Sequence, residues 1–80
     1  MDIVITDNIW RRVDPDVRAA VLAVLPRKAI IGRRADEVID DLRALAENKT
    51  AEIFGAAINY IIIYKDKFGV WPPVVIAFPD

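Results

Sequence analysis

Residues 35–47 carry the clearest structural pattern in this sequence, an apolar stripe with helical spacing. Apolar side chains recur every three or four residues there, which is the spacing of one helix face. The stripe consists of Ala35, Val38, Ile39, Leu42, Leu45 and Ala46. Asp36 and Glu37 would lie in the first turn, where negative charge is favourable beside the positive end of the helix dipole. We therefore predict a helix over residues 35–47 that packs its stripe against another apolar surface.

A second helix is predicted over about residues 15–25. Asp14 can cap the free N–H groups of the first turn, and Pro15 suits the first helical position because no donor is needed there. Pro26 would end the helix. Every residue from 19 to 25 is apolar. A helix with apolar residues on all sides requires burial on more than one side.

A third helix is predicted over about residues 51–67, with Gly69 as a C-terminal glycine stop. One feature argues against it, because three consecutive isoleucines between Tyr60 and Tyr64 have a strong strand preference. A hairpin that pairs residues 58–64 with residues 70–78 is the alternative. Pro72 and Pro73 would interrupt the second strand of that hairpin, which favours the helix. Gly55 and Ala56 would let another helix approach this one closely.

Short strands are predicted at the two ends of the sequence. Residues 2–6 are rich in β-branched side chains, which favours a strand or an extended N-terminal arm. Residues 74–78 are continuously apolar, so the two segments could pair as a ribbon. With 80 residues and a mass of 9.0 kDa, the sequence can build one core. The predicted fold is a single α+β domain over residues 1–80, predominantly helical, with three helices and two short strands.

Composition excludes most catalytic chemistry. The sequence contains no His, Cys, Ser or Gln, so it lacks the usual neutral-pH base, the thiolate nucleophile and the soft metal ligands. We expect a protein that is not an enzyme and that has no cofactor and no metal. Acidic residues cluster between positions 36 and 41, in a pattern typical of the solvent side of a helix. The most apolar stretch has only 12 residues, against about 20 for a membrane span, so we expect a cytoplasmic protein without a membrane partner.

The apolar content predicts self-association. Apolar residues make up 55% of the sequence, against roughly 45–50% in an average globular chain. We expect a small protein–protein interaction, assembly or regulatory module that forms a homodimer or a higher oligomer. Aromatic side chains are common interface anchors, and the apolar first helix is a second candidate. The predicted interface residues are Tyr60, Tyr64, Phe68, Trp71, Val21 and Leu22.

A nucleic-acid-binding regulator is the alternative function. Residues 1–34 carry seven basic and four acidic side chains, whereas residues 35–80 carry four basic and eight acidic ones. Arginines just before a helix N-terminus can bind phosphate. The residues that would do so are Arg27, Lys28, Arg33 and Arg34, with Arg11 and Arg12 in support. A pI of about 5.3 counts against this function. Trp10 is expected to pack against the first helix rather than to stack on a base.

Overall fold

Helices dominate the part of the chain that the computed structural model describes, residues 3–46 and 48–73. In chain order these are α1 (Asp7–Arg12), α2 (Pro15–Leu22), a 3-10 helix (Arg27–Ala29), α3 (Ala35–Leu45) and α4 (Asn48–Phe68). The predicted helices over residues 15–25, 35–47 and 51–67 correspond to α2, α3 and α4.

The α+β prediction is wrong, because the described residues form no strand and no sheet. Residues 3–5 are an extended arm that runs antiparallel to residues 32–35 through an isolated bridge between Val4 and Arg34. The Ile5 N–H donates to the Arg33 carbonyl at 2.8 Å, and the Ala35 N–H donates to the Ile3 carbonyl at 2.7 Å. The predicted partner strand, residues 74–78, lies outside the described residues.

The loop before α3 provides the hydrogen-bonding partners for the arm that a second strand would otherwise provide. Gly32 has a φ of 84°, in the left-handed region that glycine adopts without a Cβ clash. This conformation turns the loop so that the Gly32 N–H reaches the Ile5 carbonyl at 2.8 Å. Both backbone hydrogen-bonding groups of the fully buried Ile5 are therefore paired with this loop.

Helix α1 is not among the three helices predicted from the sequence. The Thr6 hydroxyl accepts a hydrogen bond from the Ile9 N–H at 3.2 Å and so caps the first turn. Ile9 and Trp10 are both buried. Burial of these two side chains stabilises a helix of six residues that would not persist alone in water.

Helix α2 begins at Pro15 as predicted and ends at Leu22, three residues earlier than predicted. Beyond Leu22 the backbone forms a tighter turn. In it the Val21 carbonyl accepts hydrogen bonds from the N–H groups of both Val24 and Leu25, at 3.0 and 2.9 Å. Val21 is buried, whereas Ala19, Ala20 and Ala23 are exposed. The predicted burial on more than one side is therefore not observed, and the small alanines face outwards.

Helix α4 rules out the hairpin alternative for residues 58–64. It has 21 residues, or about 31 Å at 1.5 Å per residue, close to the 34 Å length of the molecule. The three isoleucines lie on different sides of this helix, so that Ile61 is buried and Ile63 is exposed. Gly69, with a φ of 73°, ends the helix by donating its N–H to the Lys65 carbonyl at 2.8 Å.

Helix α4 is also the centre of the core, since α1, α2 and α3 all pack against it. Trp10 of α1 meets Phe54 of α4 edge to face, with ring centroids 6.2 Å apart. The predicted close approach at Gly55 occurs within the chain, because a Cβ there would lie 3.4 Å from Ile39 Cδ1 of α3. The predicted stripe of α3 is buried at Ala35, Val38 and Leu42, but Leu45 at its end is 64% exposed, so the prediction is wrong there.

Candidate interaction surface

One side of α4 is packed in the core, and the opposite side presents large apolar groups to solvent. Phe54 and Ile58 are fully buried. On the other side Ile53 is 41% exposed, Tyr60 is 62% exposed and Ile63 is 54% exposed. Together with the exposed Ala56, these three residues form what we call the outer face of α4. A helix that is apolar on both sides favours burial of both, and in α4 only the side opposite the outer face is buried.

The predicted aromatic residues of α4 form a continuous row beside this face. The ring centroids of Tyr60 and Tyr64 are 6.1 Å apart, and those of Tyr64 and Phe68 are 4.6 Å apart. Phe68 is 56% exposed, and Val70 beyond the helix is 57% exposed. The spacing of four residues brings the three rings together on the surface of the protein rather than in its core.

Trp71 anchors the residues after α4 instead of extending the row outwards. Its ring centroid lies 5.8 Å from the Arg12 guanidinium and 5.3 Å from the Lys65 ammonium. Arg12 also donates from Nε to the Pro72 carbonyl at 3.0 Å. These contacts hold a half-buried Trp71 against α1 and α4.

The two predicted interface residues of α2 lie apart from this surface. Val21 is fully buried in the core. Leu22 is only partly buried and packs against the core. Neither residue adds to the outer face of α4, and the exposed apolar residues beside them are the small Ala19, Ala20 and Ala23.

Ile53 and Ile63 belong to the exposed surface, although the sequence analysis did not select them. They lie seven residues before and three residues after Tyr60. That spacing was a usable signal, because positions seven and three apart share a helix face. The sequence alone did not show which side of α4 the core would take.

The arginines of the basic connector, residues 27–34, are paired with carboxylates. Arg27 forms an ion pair with Asp7 of α1. Arg33 donates to Asp41 at 2.7 Å and lies 3.7 Å from Glu37. Neighbouring Arg34 lies 3.8 Å from Asp36. These pairs reduce the positive charge that the connector offers to phosphate.

The bond between Arg33 and Asp41 raises the pKa of Arg33 above its ordinary value, with smaller electrostatic contributions from Asp41 and Glu37. A base with a raised pKa in the folded state contributes stability below its unfolded pKa, and that stability is lost as the pH rises through the folded pKa. For an arginine this loss lies far above neutral pH. Arg33 therefore keeps its positive charge throughout the neutral range.

The remaining basic candidates do not gather into one phosphate site. Arg11 lies 3.7 Å from Asp7. Arg12 contacts the Trp71 ring and donates a hydrogen bond to the Pro72 carbonyl. Lys28 is exposed and lines a shallow, open depression with Asp7, Arg27 and Ile31. Trp10 is fully buried, so its ring cannot stack on a base.

The acidic cluster of α3 forms ion pairs with arginines. Asp40 lies 3.6 Å from Arg43, and the other three acids of the cluster pair with Arg33 or Arg34 as described above. Within residues 3–46 and 48–73, no three side chains of the acidic, His or Cys types are close enough together to hold a metal ion. The cluster is thus the charged outer side of α3.

No protein-family model, no curated protein and no solved structure matches this chain. None of the helices in the described residues combines the length and the apolar character needed to cross a membrane.

Proposed function

We propose that the protein is a non-catalytic interaction or assembly module that associates with itself through the outer face of α4. The observation that carries this proposal is the exposure of Ile53, Tyr60 and Ile63 on one helix face, continued by Phe68 and Val70. Exposed apolar patches of several hundred Å² mark interaction sites more often than ordinary surface. The missing catalytic residue types in the sequence support the non-catalytic part of the proposal.

The exposed area supports a weak dimer rather than an obligate one. From typical side-chain areas and the observed exposures, the five residues offer about 500 Å² per chain. Two copies would bury about 1,000 Å², which is below the range for stable specific interfaces, about 1,200–2,000 Å², and within that of weak or transient ones. We therefore expect association that depends on protein concentration.

Introducing a charge on the outer face tests the proposal. Ile63→Asp should shift the protein to the monomer in size-exclusion chromatography with light scattering, because pairing would bury an uncompensated carboxylate. Its far-UV circular dichroism should remain that of the wild type, since Ile63 lies outside the core.

Val4→Asp is the matched control. Val4 is a similarly exposed apolar residue, at 47%, and it lies in the N-terminal arm beside Arg34. This variant should associate like the wild type. Equal association of the Ile63→Asp variant would exclude the outer face as the interface.

A further inference from the structure

The outer face of α4 has the spacing of a helix-pairing seam. Ile53, Ala56, Tyr60 and Ile63 are separated by three, four and three residues, and Lys67 follows after four more. This alternation is the heptad pattern through which two helices pack along their length. The core of this chain uses the other side of α4, at Phe54, Ile58 and Ile61. The seam is therefore available to a second helix.

The sizes of the seam residues favour an antiparallel pair. A parallel pair would place Ala56 against Ala56, which leaves a gap at that layer. An antiparallel pair centred near Tyr60 places Ala56 against Ile63 of the second copy. Large side chains facing small ones fill an interface evenly.

The charges at the two ends of the seam favour the same orientation. Glu52 and Lys67 are exposed and lie 15 residues apart, or about 22 Å along α4. A parallel pair would bring Glu52 beside Glu52 and Lys67 beside Lys67. An antiparallel pair brings Glu52 of each copy beside Lys67 of the other, and it also sets the helix dipoles in opposition. Twofold symmetry then supplies this charge pair twice.

We infer that the occupant of the outer face is a second copy of this chain, with its α4 antiparallel. In that dimer Tyr60 lies near the twofold axis, Ala56 faces Ile63 of the second copy, and Glu52 pairs with Lys67 of the second copy. This inference rests on the proposed function, because it specifies the partner and the register of the same surface.

Introduced cysteines test the orientation, because the chain has no cysteine of its own. The variants are Glu52→Cys and Lys67→Cys, each treated alone and as an equimolar mixture with a short bifunctional thiol reagent. An antiparallel dimer should give cross-linked dimer in the mixture. Random pairing makes half of all dimers mixed, so at most half of the dimers can be cross-linked. Each variant alone should stay at background, because its two thiols would be about 22 Å apart.

Asp40→Cys is the control for random collision, since Asp40 is a highly exposed residue of α3 outside the seam. It should give only background cross-linking alone or mixed with either variant.

Cross-linking of Glu52→Cys alone and of Lys67→Cys alone would overturn the antiparallel orientation. A dimer in light scattering without any cross-link above the control would overturn this register and leave self-association standing. A wild-type monomer at every concentration would overturn both proposals, and slow labelling of a Tyr60→Cys thiol in that monomer would show that the same chain covers the face.

Discussion

Two phenylalanines of α4 show how position on one helix decides what a side chain does. Phe54 is fully buried against Trp10, whereas Phe68 is more than half exposed at the end of the aromatic row. The same residue type therefore contributes core packing at one position and surface at the other. This contrast gives the residue-scale prediction.

Phe54→Ala should lower the free energy of unfolding by about 3–5 kcal/mol, because it removes buried area and leaves a cavity. Phe68→Ala should change it by no more than about 0.5 kcal/mol, as surface substitutions usually do. Urea unfolding followed by circular dichroism at low protein concentration measures both, so that self-association does not contribute. Similar losses for the two variants would show that Phe68 belongs to the core.

At the scale of the elements, periodicity predicted α2, α3 and α4 but missed α1, and the strand prediction failed for the described part of the N-terminal segment. Helix α3 was predictable because its apolar spacing is local information. Residues 2–6 were predicted as a strand from their β-branched side chains, and residues 3–5 of this segment form the extended arm instead. Their hydrogen-bonding partner is the loop at residues 32–35, and only the tertiary structure places that loop beside them.

Tertiary packing also decided between helix and hairpin for α4. The run Ile61-Ile62-Ile63 has a strand preference, but each of these residues has a different environment on the helix. Ile61 is buried, Ile62 is half-buried and Ile63 is exposed. The aromatic row was predictable from its spacing of four residues. Its position on the surface was not, because the core could have taken either side of α4.

The N-terminal cap of α2 gives the element-scale prediction. The Asp14 side chain accepts a hydrogen bond from the Asp16 N–H at 2.9 Å. Asp14→Ala should cost about 1 kcal/mol of the free energy of unfolding, because that N–H loses its acceptor. Asp14→Asn keeps an acceptor and should cost much less. Equal losses in thermal or urea unfolding would mean that the cap itself contributes nothing.

At the scale of the whole molecule, the distribution of charge separates the two candidate functions. The net charge is −1, and the arginines at positions 27, 33 and 34 are paired with carboxylates. We predict no shift of a labelled DNA or RNA oligonucleotide at physiological salt, measured by electrophoretic mobility. A shift at low salt whose affinity falls steeply as salt rises would instead favour the nucleic-acid-binding alternative.

The central claim is that the outer face of α4 pairs two copies of the chain. Sedimentation equilibrium of the wild-type protein over a wide range of concentrations tests it most directly. The account predicts a mass that rises from the 9.0 kDa of one chain towards twice that value as concentration increases. A mass that stays at 9.0 kDa at every concentration would contradict it.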